Sequence, residues 1–197
     1  MTKSTKKNLI EYGVVAAIMF TLFLTGLHRE VFGFLQRGVL ATGLMNPKVE
    51  ERTTTVSAEE YPLADFKMNL INSKGERVKM ADFKGKVIFV NIWATWCPPC
   101  IAEMPGINKL FNDVKHEDIV FLMLSVDQNF EKAKRFNETK GFDFEIYEVD
   151  GAIPQMYHTE SIPTTFVIGA NGELALTHKG MASYNTTEFK EFLKSLK

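Results

Sequence analysis

Apolar and polar positions change their period several times along the chain, and each change marks an element. From Leu9 to Leu27 the sequence reads LIEYGVVAAIMFTLFLTGL, apolar apart from Glu11 near its start. As a helix rising about 1.5 Å per residue, this run would cover roughly 28 Å, close to the hydrocarbon thickness of a bilayer. Val31 to Met45 is apolar again but carries Arg37 and the glycines Gly33, Gly38 and Gly43, and it is short for a second crossing. An interfacial or re-entrant segment fits it; a buried amphipathic helix, or a helical hairpin that returns the chain to its starting side, are the alternatives. Asn46 to Pro62 is polar, bounded by prolines and without apolar periodicity, as a solvated linker requires.

Beyond Leu63 the pattern is that of one α/β unit. Phe66, Met68 and Leu70 alternate in a strand signal, Asn72 to Gly75 make a turn, and Arg77 to Met80 complete an opening hairpin. Lys86 to Trp93 (KVIFVNIW) is a nearly continuous run of β-formers, the pattern of a strand covered on both faces. From Pro98 to Val114, Ile101, Met104, Ile107, Leu110, Phe111 and Val114 recur at helical spacing. Pro98 and Pro99 fall in the first turn, where proline is tolerated, and Pro105 lies inside as a kink. Ile119 to Val126 reads as a buried strand, Phe130 to Thr139 as a charged amphipathic helix closed by Gly141, and Ile153 to His158 as a short turn or helix. Thr164 to Ile168 and Leu174 to Thr177 are strands joined by the Asn171-Gly172 turn. Thr187 to Leu196 closes the chain as a helix with Phe189, Phe192, Leu193 and Leu196 inward.

Charge adds an orientation. Lys3, Lys6 and Lys7 precede the first apolar run, so the positive-inside bias puts the amino terminus in the cytoplasm and the remainder outside. A cleaved secretory signal shares the basic start, but the run is long and no small-x-small cleavage pattern follows it. The expected organisation is therefore a cytoplasmic tail at 1–8, a transmembrane signal anchor at 9–27, a membrane-proximal segment and linker at 28–62, and a folded domain at 63–197. The expected location is the cell inner membrane, single-pass, with the domain on the outer side and lipid contacted through the anchor. The 23 basic and 24 acidic residues give a formal net charge of -1, which leaves no electrostatic footprint for nucleic acid. His28, His116, His158 and His178 lack ligand-like spacing, so no metal is expected, and nothing calls for an organic cofactor.

The chemistry lies in the only two cysteines. Trp96-Cys97-Pro98-Pro99-Cys100 follows the apolar strand directly and opens a helix, which places both thiols in one turn within disulfide reach. A helix amino terminus carries about half a positive charge and free N–H groups, which favour a thiolate at Cys97. Cys97 is then the attacking sulfur and Cys100, deeper in the turn, resolves the mixed disulfide. Glu103 shares the helix face one turn on, where a partly buried carboxyl with a raised pKa would exchange a proton with Cys100; a solvated helix glutamate is the plain alternative. Pro163, ahead of a strand, is either a cis-proline that frees backbone for a client strand beside the disulfide or an ordinary loop proline. Trp96, Pro98, Pro99, Ile162 and Thr164 would border the client groove.

The strand followed by WCPPC, the helix with Glu103 and Pro105, the SIPTTFVI segment and the Asn171-Gly172 hairpin together resemble the TlpA/ResA-like family of membrane-anchored, thioredoxin-fold thiol-disulfide oxidoreductases. The resemblance covers roughly residues 63 to 197. It implies a thioredoxin-like α/β fold, a central mixed sheet flanked by helices, with Cys97 as nucleophile, Cys100 as resolving thiol, Glu103 as buried acid and Pro163 as cis-proline. It also implies a reductant of disulfides in exported proteins, apocytochrome c among the clients, recharged by a membrane electron donor. A thiol oxidant or isomerase of the same fold would be favoured by a histidine between the cysteines, which is absent. A copper-delivery protein would need the two cysteines and a distant histidine such as His158. A peroxidase would need threonine where Ala94 stands.

Overall fold

The computed structural model describes residues 62–115 and 118–197, with 11–18, 20, 21, 23, 38, 40 and 47 of the amino-terminal part. The first element is a hairpin of β1 (Asn69–Asn72) and β2 (Arg77–Lys79). Asn72 builds its turn: Oδ1 accepts from the amides of Lys74 and Glu76, and Gly75 takes the left-handed φ of 82° that the turn needs. After a 3-10 turn at Met80–Phe83 come β3 (Val87–Trp93), α1 (Pro98–Val114), β4 (Ile119–Ser125) and α2 (Phe130–Lys140). β5 (Ile146–Val149), a 3-10 turn at Gln155–Tyr157, β6 (Thr164–Ile168), β7 (Leu174–Lys179) and α3 (Thr187–Ser195) complete the chain.

The seven strands form one sheet in the order β2-β1-β5-β4-β3-β6-β7. β3 pairs parallel with β4 and β4 with β5, whereas β6 runs antiparallel to β3, so the sheet is mixed. β3 is buried along its whole length, which is why it reads as a continuous apolar run. β5 is absent from the sequence-based element list; its four residues take their partners from β1 and β4, and that long-range pairing outweighs a weak local signal.

Alternation along the strands separates two cores. Val87, Phe89 and Trp93 of β3 with Ile119, Phe121 and Met123 of β4 face one side, where residues of α1, α2 and α3 meet them: Cys100, Met104, Ile107 and Leu110 from α1, Phe130 and Ala133 from α2, Phe189 and Leu193 from α3. Ile88, Val90 and Ile92 face the other side and are covered by Met68, Met80, Tyr157 and the extended chain around Ala64 and Phe66. Among the described residues the sheet is therefore not flanked by α-helices on both faces; extended chain and 3-10 turns replace them on the second.

Part of the expected transmembrane segment and most of the stretch 28–62 lie outside the described residues. Residues 11–18, 20, 21 and 23 are helical, and Tyr12, Val14, Val15, Ile18, Phe20 and Phe23 on them are exposed. No helix among the described residues is long and apolar enough to cross a membrane.

Phe89 ties the helix-side core together, with ring contacts to Phe121, Tyr184 and Phe189 at centroid distances of 4.9, 5.2 and 6.2 Å. Phe89→Ala is expected to lower unfolding free energy by about 3–5 kcal/mol in urea titrations, and a loss within the range of a surface substitution would contradict this packing.

Candidate active site

The site begins where β3 ends. Trp93 O accepts from Val126 N at 2.9 Å, holding the exit of β3 to that of β4. The loop between Trp93 and Cys97 is then braced by Asp127, which accepts from Thr95 N (2.9 Å), Thr95 Oγ1 (2.7 Å) and Ser125 Oγ (2.9 Å). Helix α1 starts against this brace, and its N-cap is Cys97: Sγ accepts from the backbone N of Cys100 at 3.3 Å. Pro98 and Pro99 occupy positions where a missing N–H costs nothing, and no acidic residue sits in the first turn.

Cys97 and Cys100 are joined as a disulfide with a Cα–Cα distance of 5.3 Å. Cys97 is 4% exposed and Cys100 fully buried, whereas Trp96 is 54% exposed and stands beside the pair. Pro98 and Pro99 are half-buried. The Ile162–Pro163 peptide bond is cis, and the Ile162 carbonyl oxygen lies 3.7 Å from Cys97 Sγ. Residues widely separated in sequence, Trp96 to Pro99 and Ile162 to Pro163, thus share one surface around the sulfur. Thr164, expected on the groove, is instead fully buried. Its hydroxyl donates to Ser161 O at 2.7 Å and pairs with Thr159 Oγ1 at 2.9 Å, so its side chain shapes the proline loop from beneath. Next to this loop opens a cleft of about 760 Å³, with Ile92, Val126, Ile162 and Tyr157 among its apolar lining and His158 and Lys179 among its polar lining. His158 points Nε2 at the Ile153 carbonyl, 2.8 Å away.

Glu103 is more enclosed than its spacing suggested, at 1% exposure. Oε1 accepts from Asn91 Nδ2 at 2.9 Å and Oε2 from the backbone N of Ala182 at 3.1 Å. Burial pushes its pKa up to about 8 from the ordinary 4.5; the Ala182 amide and then the Asn91 amide oppose the shift without cancelling it. Asn91 donates as well to Thr165 Oγ1 at 3.0 Å. Asn91, Thr165, Ala182 and Asp127 are site residues that sequence reasoning missed. Asn91 alone left a signal, as the one amide inside the apolar run of β3.

Three comparisons agree on the kind of protein that has this geometry. The AhpC/TSA family profile matches residues 60–177. The thiol-disulfide oxidoreductase ResA of Halalkalibacterium halodurans is 31% identical over 123 residues, covering 61% of this chain and 70% of that protein. ResA of Geobacillus kaustophilus is 34% identical over 106 residues, 53% of this chain and 61% of its own. Among solved structures, a thiol-disulfide oxidoreductase from Bacteroides vulgatus superposes with a TM-score of 0.59 at 29% identity, covering 69% of this chain and 94% of that one. A thiol:disulfide interchange protein DsbE from Chlorobium tepidum gives 0.55 at 26% identity, covering 69% and 95%.

The carboxyl's environment sets a pH dependence. Below about pH 4.5 Glu103 is protonated both folded and unfolded; between about 4.5 and 8 the unfolded chain ionises while the fold keeps the proton. Unfolding then releases a proton, so this contribution to stability is full below pH 4.5 and is lost as pH rises through 8. Denaturation at several pH values should show the oxidised parent losing stability relative to Glu103→Gln across this window, by on the order of a few kcal/mol. Parallel curves for parent and variant would show that Glu103 is not held neutral.

Proposed function

Because the chain belongs to the AhpC/TSA family and is a thiol-disulfide oxidoreductase of the ResA type, we propose that it is a reductant of disulfides in exported proteins, held at the outer face of a cytoplasmic membrane by its amino-terminal helix. The observation that carries the reading is Cys97 Sγ seated as the N-cap of α1, within one turn of Cys100 and beside the exposed Trp96.

In the dithiol form a negative sulfur at that cap meets the Cys100 N–H and the positive end of α1, with no carboxylate in the first turn to oppose it. The Cys97 thiolate attacks a client disulfide; one client sulfur leaves as thiolate and the other becomes bonded to Cys97. The client backbone lies along Ile162 and cis-Pro163, and the residues flanking its cysteine use Trp96 and the neighbouring cleft. Glu103, as carboxylate, then takes the Cys100 proton. Its pKa, pushed up to about 8 by burial, makes it a stronger base toward a thiol than a solvated carboxylate would be. Cys100 attacks the Cys97 sulfur, the Cys97–client bond breaks, and the second client sulfur leaves as a thiolate that takes its proton from water. Clients are oxidised cysteine pairs of exported proteins, apocytochrome c among them, and a membrane electron donor restores the dithiol.

The absence of histidine between Cys97 and Cys100 supports the reducing direction, since the helix start is then the one cationic influence contributed by the motif. Equilibration with thiol redox buffers should give a potential nearer about -270 mV than the strong-oxidant value of about -120 mV. A value more positive than about -180 mV, the isomerase range, would remove the reductant assignment and leave thiol exchange in place.

The membrane reading rests on the lysine-bounded apolar run and on the exposed apolar side chains Val14, Val15, Ile18, Phe20 and Phe23. A reporter active only outside the cytoplasm, fused after Lys197, should be active. Activity restricted to a cytoplasm-only reporter would establish the hairpin alternative for the stretch before the linker.

A further inference from the structure

The loop that carries cis-Pro163 is held in shape by side chains. Ser161 N donates to Thr159 Oγ1 at 3.3 Å, Thr159 Oγ1 meets Thr164 Oγ1 at 2.9 Å, and Thr164 Oγ1 donates to Ser161 O at 2.7 Å. In that direction each hydroxyl accepts once and donates once, and the run of hydrogen bonds leaves and re-enters the same residue. The Thr159 hydroxyl also lies 2.8 Å from Ser161 O, so the carbonyl has two donors within reach. Hydrogen bonds linked in this way polarise one another, which makes the circuit stiffer than its separate members. Thr164 at its base is fully buried, whereas Thr159 stands in the wall of the cleft.

Both backbone groups of Ser161 are therefore occupied, although the residue itself is exposed. On the other side of the loop, the Pro163 carbonyl accepts from Gly180 N at 2.8 Å, just past β7, and proline has no N–H to offer. Ile162 lies between these two fixed neighbours. Its own N–H makes no hydrogen bond among the described residues, and its carbonyl is turned toward Cys97 Sγ, 3.7 Å away. A donor and an acceptor on one residue are what an extended chain needs to form one antiparallel pair. A disulfide without a peptide backbone gains nothing from them, and covering them without pairing them costs free energy.

We propose that Thr159 and Thr164 are positioning residues for the client: their hydroxyl circuit fixes Ser161 and so aims the Ile162 backbone at an extended peptide, which makes the site select disulfides borne on a peptide chain over small disulfides. The selection rests on the thiol exchange at Cys97 described above. The polar contacts of Cys97 Sγ are Ile162 O and Cys100 N, with neither threonine among them, so the hydroxyls act through the loop. The exchange itself is the same for every disulfide. The Cys97 thiolate bonds to one sulfur, the S–S bond breaks, and the second sulfur departs with the electron pair as a thiolate. Pairing at Ile162 adds alignment, because it holds the residues beside the client cysteine while Cys97 attacks.

The test compares two disulfides on the full chain in a Cys100→Ser background, where Cys97 stops at the mixed disulfide: a cysteine-bridged peptide and bis(2-hydroxyethyl) disulfide. With each rate normalised to that of the same disulfide with a free small thiol, the parent should favour the peptide. Thr164→Val and Thr159→Val, which keep the side-chain shape and remove the hydroxyl, should each lower the ratio of peptide rate to small-disulfide rate about tenfold. Thr164→Ser and Thr159→Ser, which keep the hydroxyl, should recover most of the ratio. Equal slowing with both disulfides, or serine variants as slow as the valine ones, would reduce the threonines to packing and overturn the proposal. A ratio that no variant moves, or a parent that does not favour the peptide, would overturn it and leave thiol exchange at Cys97 intact. If the parent Cys97 forms a mixed disulfide with neither compound, the function proposed above fails and the positioning role falls with it.

Discussion

Removing a carboxyl group from water without a cation to pair it costs several kcal/mol unless the group stays protonated, and Glu103 lies under that constraint. Two neutral donors, the Asn91 side chain and the Ala182 backbone, hold its oxygens in place without making ionisation easy. The surrounding structure follows from this. Asn91 must be polar although its strand is buried on both faces, the segment after β7 must return to bring Ala182 N over the helix, and α1 must start at a fixed height so that Glu103 lies one turn below the sulfurs. A salt bridge at the same place would hold the carboxylate ionised and leave it a weak base for a thiol.

The start of α1 is fixed by a different set of interactions. Asp127 gathers Thr95 and Ser125, so the ends of β3 and β4 and the loop between them form one rigid edge. Cys97 caps the helix from that edge with its own sulfur, which couples the nucleophile's position to helix formation. The asymmetry of the sheet serves the same end. With α1, α2 and α3 on one face, the acid is enclosed. The other face, covered by extended chain and short turns, leaves the cleft beside Ile162 open for a flanking residue of a client.

The parts of the site that were legible in the sequence are those whose meaning is local. Cys97 and Cys100 lie in one turn, Pro98 and Pro99 mark a helix start, and Glu103 follows at helical spacing, so strand, redox pair and acid could be placed from residues 86 to 114. The partners of Glu103 could not, because Ala182 is 79 positions away and contributes only a backbone amide, which no side-chain pattern announces. Thr164 was misplaced for a related reason: its neighbour Pro163 borders the sulfur, but strand alternation turns the threonine into the second core. β5 escaped because four residues between two distant partners carry little periodicity, and the one-sided packing of the helices escaped because an apolar helical face does not say which side of a sheet it will cover.

Direct titration of one carboxyl tests the central claim. In the oxidised full chain, the protonated carbonyl stretch of Glu103, isolated as the infrared difference between parent and Glu103→Gln, should persist at pH 6 and disappear with a midpoint near pH 8. A midpoint near the ordinary 4.5 would mean that Glu103 is ionised at neutral pH, and would contradict the account of a buried acid matched to a thiol.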